Sequence, residues 1–153
     1  MARFIGLRPA SPRATAAARG ASLKRDTRPE IALRRAVFAL GLRYRVAADG
    51  LPGRPDLVFH HPRIIVFCDG DFWHGHDWDN KKAAIKSNRG YWLPKIERNI
   101  QRDREVDELL AQANWKVLRI WEHEVKKDFG AAFYRVLRFI EANTDDWVGI
   151  VVE

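Results

Sequence analysis

The chain has 153 residues, enough for one domain with a sizeable core. Its net charge of +7 and pI of about 9.9 favour an anionic partner, nucleic acid first. The single cysteine, Cys68, excludes an internal disulfide and a thiolate zinc cluster, and no apolar run approaches the roughly 20 residues of a membrane span.

Residues 1–24 are Ala/Arg-rich, carry no acid, and are expected to form a flexible basic arm that tracks phosphates. The folded domain is expected over 25–153. No apolar secretory core is visible at the N-terminus, and one cysteine fits a reducing compartment. The expected location is the cytoplasm, at the nucleoid in a bacterium. Thr27-Arg-Pro-Glu30 has the form of a capping box with Pro in the first turn. Leu33, Val37 and Leu40 follow at helical spacing, with Gly41 as the stop. Leu42–Val46 alternates like a strand, and 47–55 is a Gly/Pro-containing connection. Asp56–His60 and Arg63–Cys68 read as a hairpin turning at His61-Pro62.

The polar stretch 77–90 reads as a loop. Tyr91 to about Ala113 reads as a long helix with an apolar stripe of Ile96, Ile100 and Leu110, widened by Val106 and Leu109. Asp103 sits on that stripe, where a carboxylate needs a reason. Trp115–Trp121 is the next strand. Phe129, Phe133, Val136, Leu137 and Ile140 mark an amphipathic last helix, and Val148–Val152 a terminal strand. The order predicts an α/β fold, a mixed sheet with helices on both faces.

The chemistry gathers around two strands. Asp56 opens the first. Asp69, Asp71 and His74 crowd the end of the second, where the Cys68 carbonyl can serve as an oxygen ligand. A hard divalent cation wants oxygen donors, and a nearby base must activate water, so this set on a basic chain suggests metal-assisted cleavage of a phosphodiester. Each residue has a plainer reading. Asp56 can merely cap a turn, Glu30 fits its capping box at least as well as a metal site, and a lone His74 is more often structural. Asp71, His76 and His123 can supply three zinc ligands without a convincing fourth. Phe72, Trp73, Tyr91 and Trp92 are either satellite core or wedges for a base stack. Arg89, Lys95, Arg98, Arg102 and Arg104 are either a solvated helix face or a phosphate-binding one.

Several blocks, in order, resemble the very-short-patch repair endonucleases. They are Leu51-Pro-Gly-Arg-Pro-Asp56; Phe67 to His74, ending Phe-Trp-His; Tyr91-Trp92 with Lys95-Ile-Glu-Arg-Asn99 and Arg102-Asp-Arg104; and Trp115-Lys-Val-Leu-Arg-Ile-Trp-Glu122. The resemblance covers about residues 25–128. It implies a restriction-endonuclease-like fold and a Mg²⁺-dependent nick beside a T:G mismatch that leaves a 5′-phosphate. It gives Asp56 and the Cys68 carbonyl to the metal, and His74 to the activation of water. It implies that Glu30 and Asp103 support the metal-bound water network. It also implies that Phe72, Trp73 and Trp92 wedge into DNA; Arg89, Lys95, Arg98, Asn99 and Arg102 are further expected DNA contacts. Asp69, counted with the catalytic set, stands where the family often has histidine. Family members hold a structural zinc with cysteines, and here Asp71 and Trp78 occupy two such positions, with His76 and His123 at the others. Retained zinc is therefore not expected.

The expected partner is double-stranded DNA, matched or mismatched, acted on by a monomer and with no membrane. Protein partners would belong to DNA repair or defence. The alternatives are a related nickase serving DNA modification or phage defence, and a catalytically silent binder of distorted DNA. The silent binder would not need Asp56 and His74 together.

Overall fold

The structure, a computed structural model, describes residues 26–46 and 50–145. The basic arm and the Val148–Val152 strand lie outside the described residues.

Helix α1 (Arg28–Ala39) starts where the sequence predicts, with Thr27 as N-cap and Pro29 in the first turn. The capping differs. Thr27 makes no side-chain cap bond, and Glu30 Oε2 accepts the Asp26 N–H at 2.9 Å, one residue further out than a capping box requires. Leu33 and Val37 are buried, and Gly41 takes φ +84° just past the end.

The predicted hairpin forms. β1 (Leu57–Phe59) and β2 (Ile64–Asp69) pair antiparallel, Leu57 opposite Val66. β3 (Lys116–Trp121) pairs parallel to β2 on its other side, Asp69 opposite Trp121. A parallel neighbour needs a crossover. The segment between them supplies it with the short α2 (Trp78–Lys81), a 3₁₀ turn (Lys82–Ala84) and the 24-residue α3 (Arg89–Gln112). Two helices follow β3: α4 (Glu122–Lys127) and α5 (Phe129–Ala142).

Strand periodicity divides the core between two faces. Ile64 and Val66 pack with Leu33, Val37, Val125, Val136 and Ile140, from α1, α4 and α5. Ile65 and Phe67 point the other way, with Val58, onto Val106 and Leu110 of α3. Helices thus cover both faces of a mixed sheet, the arrangement expected of a restriction-endonuclease-like α/β domain.

Several expectations are corrected. Leu42–Val46 is no strand: Arg45 alone pairs, exchanging two hydrogen bonds with Val58 at 2.9 and 2.8 Å. β1 is three residues long and offers little edge to extend. Residues 77–90 are not all loop, because Asp77 and Asn88 adopt positive φ of 52° and 53° and start the helical turns of α2 and α3. Leu109 is 55% exposed and does not widen the buried stripe.

Candidate active site

The site lies at one end of the sheet. β1 runs antiparallel to β2, so Asp56, just before β1, stands beside the end of β2, where Cys68 and Asp69 lie. Asp56 Oδ2 accepts the Cys68 N–H at 2.6 Å, and its N–H donates to the Val66 carbonyl at 3.1 Å. This anchors the carboxylate to the sheet and leaves Oδ1 facing Arg34 at 3.9 Å. Arg34 also donates to Glu30 Oε2 at 3.3 Å, to the Asp56 carbonyl at 3.4 Å, and to Asp26. Sequence reasoning missed Arg34. Its signal was the four-residue spacing from Glu30 on a helix facing the site.

Asp56 is strained electrostatically. Burial first, then the charge of Glu30, push its carboxyl from the ordinary 3.8 up to about 7, against the Cys68 N–H and Arg34. Burial and the charges of Asp56, Glu30 and Asp69 drive the Cys68 thiol far up, so it is a neutral, inert group. Crowded carboxylates with one outward oxygen suit a hard cation, because bound positive charge would relieve their mutual repulsion. Asp56 and the neighbouring backbone carbonyls are oxygen donors of the kind a divalent ion takes.

Asp69 and His74 form the second half. Asp69 is only 3% exposed and accepts Arg119 Nη1 at 2.8 Å. Burial raises its carboxyl, while His74 and Arg119 pull it back. His74 Nδ1 lies 2.6 Å from Asp103 Oδ2 and 3.8 Å from Asp69 Oδ1. An ionised carboxylate can only accept, so this contact favours the neutral tautomer with the proton on Nδ1 and Nε2 free to accept. Burial alone would lower the imidazole pKa. The Asp103 hydrogen bond and the charges of Asp69 and Asp103 outweigh it and hold His74 above its ordinary value. The stripe position of Asp103 is thereby explained: it spends its charge on the histidine instead of in the core. Asp69, His74 and Asp103 each place a donor within 4.8 Å of the others.

The loop that carries His74 is fixed from α3. Asn99 Nδ2 donates to the Trp73 carbonyl at 3.0 Å. Gly75 has φ +66°, and a Cβ there would stand 2.4 Å from Ile100 Cδ1. Only glycine lets the loop pass so close to the helix. Asn99, read from the sequence as a DNA contact, is used here to hold the loop.

Phe72, Trp73 and Trp92 gather as edge-to-face pairs, with centroids 5.3 to 5.7 Å apart, and Tyr91 meets Trp92 at 4.9 Å. Phe72 is 46% exposed. Lys95 Nζ lies 5.2 Å from the Trp73 ring and 5.6 Å from Trp92, so the aromatic ledge carries a cation. Arg98 and Arg102 are exposed on the same helix. Arg89 is turned inward to its own connection and donates to the Lys82 and Ile85 carbonyls at 2.9 and 2.6 Å.

A separate cluster joins Asp71, His76 and His123, each with a donor within 4.8 Å of the others. His123 Nδ1 bonds Asp71 at 2.7 Å, and Lys81 Nζ lies 3.3 Å from His76 Nδ1. Trp78 turns elsewhere, its indole N–H donating to Glu97 at 3.4 Å.

A protein-family model described as DNA mismatch endonuclease Vsr matches residues 11–80. The chain is 50% identical over 104 residues to the Type II nicking enzyme V.NmeDIP of Neisseria meningitidis serogroup C, covering 68% of this chain and 70% of that one. It is 42% identical over 130 residues to the Type II nicking enzyme V.NaeI of Lentzea aerocolonigenes, covering 82% and 77%. To the DNA mismatch endonuclease Vsr of Escherichia coli it is 39% identical over 98 residues, covering 64% and 62%.

Proposed function

From the premise that the chain belongs to the Vsr family of DNA mismatch endonucleases, and so is a DNA-nicking endonuclease, we propose that it makes a Mg²⁺-dependent nick in duplex DNA beside T:G mismatches. The observation that carries this reading is the His74–Asp103 hydrogen bond at the sheet end where Asp56 is anchored to Cys68.

Asp56 Oδ1 and the Cys68 carbonyl would hold the ion, with Glu30 and Asp103 tied to its water network. When bound, the ion would polarise the scissile phosphate and stabilise the departing oxygen. His74 accepts the proton of the attacking water on Nε2. Asp103 keeps Nδ1 protonated and stabilises the imidazolium that forms. Asp69 adds negative charge behind the imidazole and strengthens it as a base. The products are a 3′-hydroxyl and a 5′-phosphate.

Phe72, Trp73 and Trp92 are the recognition device. A wedge in the stack costs a few kcal/mol of unstacking, less where pairing is already weak. That difference favours mismatched over matched DNA. Lys95, Arg98 and Arg102 are suited to the flanking phosphates, and Arg89 and Asn99 act by shaping the elements beneath.

The test is nicking by purified protein with Mg²⁺ on matched, T:G and other mismatched duplexes, scored on each strand. Nicks concentrated at T:G support the proposal. Equal nicking of all duplexes removes the mismatch preference and favours a nickase for DNA modification or defence, a reading suggested by the nicking-enzyme names of several relatives.

A further inference from the structure

Arg119 is an unusual residue to find in β3, and neither the metal nor the base proposed above accounts for it. Its guanidinium joins two acids of one helix, α3, to an acid of the neighbouring strand β2. Nε and Nη2 grip the Asp107 carboxylate at 2.8 to 3.1 Å, and Nη1 donates to Asp69 Oδ2 at 2.8 Å. The same Nη1 lies 3.9 Å from Asp103 Oδ1. The plane packs over the Phe67 ring, 4.2 Å from its centroid. The N–H edges and one face of the group are thus held.

Both carboxylates that flank His74 Nδ1 touch or face this one cation. Asp69 has two oxygens: Arg119 takes Oδ2, and Oδ1 stays 3.8 Å from the imidazole. Asp103 is then the acceptor within hydrogen-bond distance, at 2.6 Å. Without Arg119, Asp69 would be a buried unpaired carboxylate whose nearest available donor is His74, and the ring would be drawn toward the sheet.

We propose that Arg119, held in place by Asp107, is a positioning residue for the nicking reaction: it engages Asp69 so that His74 binds Asp103 and directs its other ring nitrogen to the water. The inference rests on the role given to His74 above. A bidentate grip is a feature of Arg that Lys cannot copy, so position as well as charge is specified. Asp107 lies on α3 away from the reacting atoms and acts only through Arg119.

Three variants test this: Arg119→Met, Arg119→Lys and Asp107→Asn. Each is measured for melting temperature, duplex affinity and single-turnover nicking. The imidazole ¹H–¹⁵N spectrum of His74, recorded without metal, reports which nitrogen carries the proton and whether its hydrogen bond to Asp103 persists. The proposal expects Arg119→Met to lose nicking by roughly 10- to 100-fold at unchanged duplex affinity, the scale of a slightly misplaced catalytic group. Arg119→Lys should recover part of the loss, and the His74 spectrum should change in Arg119→Met. Asp107→Asn, at a partly exposed position, should fold normally and still slow nicking several-fold. It therefore decides the matter if Arg119→Met does not fold.

A purely structural Arg119 would lower the melting temperature and leave the nicking rate and the His74 spectrum of the folded variants unchanged. That result would overturn the proposal. If the wild-type protein does not nick under any condition, the proposed function fails instead, and the His74 spectra of wild type and variants still decide the role of Arg119.

Discussion

In the proposed reaction Asp56 is the metal's carboxylate, and burial and the charge of Glu30 hold it in the folded protein well above the pKa of the open chain. Asp56→Ala should remove metal-dependent nicking, a loss of several kcal/mol in barrier and on the order of 10³-fold in rate, with duplex binding largely intact. Retained nicking would take Asp56 out of the metal site. His74→Ala should cost roughly 10² to 10⁴-fold, since water would lose its positioned base. The pH behaviour of the metal-free protein follows from linkage. Asp56 ionises near its ordinary 3.8 when unfolded and near 7 when folded, chiefly through burial and the charge of Glu30. The folded chain therefore keeps a proton that the unfolded chain releases. This contribution to stability is complete below about 3.8 and is lost as pH rises through about 7. Melting temperatures across that window should fall more steeply for the wild type than for Asp56→Asn. Mg²⁺ competes with the same proton, so its stabilisation should grow above neutral pH. Identical pH curves for the two proteins would show that Asp56 is not so perturbed.

At the scale of elements, the loop between β2 and α2 carries His74 and two of the clustered aromatics, Phe72 and Trp73, and it depends on Gly75. Gly75→Ala forces a Cβ against Ile100 at a positive φ, and should destabilise by about 1–3 kcal/mol while slowing nicking through a displaced His74. Urea unfolding and nicking on one preparation check both halves. Trp73→Ala should weaken binding to distorted duplexes more than it lowers the melting temperature. A variant that melts early but binds and nicks normally once folded would return Trp73 to the core. Much of this was legible in the sequence, for particular reasons. The hairpin and β3 announce themselves as short apolar runs bounded by turn residues, and α3 by its apolar stripe. Asp103 stood out because it interrupted a stripe, and the same argument applied to Arg119, a cation in an apolar strand, would have found the clasp. Other parts carry no local signal. The four-residue α2 and six-residue α4 are too short for a periodicity, and tertiary packing defines them. Leu42–Val46 alternates well, yet pairing depends on the length of its neighbour, which lies elsewhere in the chain. Asp71, His76 and His123 meet only because β2 and β3 end side by side. With no thiolate and Trp78 turned away, that trio is expected to hold no stoichiometric zinc through dialysis, and metal analysis of protein purified without added zinc checks it.

Across the whole molecule, a mixed sheet brings a hairpin's open end and a parallel strand's end to one edge, and places the basic helix α3 across one face. The site is thus assembled from residues 30 to 119, and its parts are held by contacts between elements more than by any one motif. Among the described residues no helix is long and apolar enough to cross a membrane, and the surplus of positive charge is suited to a polyanion. Duplex affinity should fall steeply with salt, equally for matched and mismatched DNA, because phosphate contacts do not read pairing. Discrimination should then reside in the aromatic wedge and in the nicking step. The most direct measurement is the rate of strand nicking on a T:G duplex and its matched counterpart, with and without Mg²⁺, by the wild type and Asp56→Ala. Nicking is expected from the wild type alone, dependent on Mg²⁺ and faster at the mismatch. Equal nicking by Asp56→Ala, or nicking undiminished without a divalent ion, would contradict it.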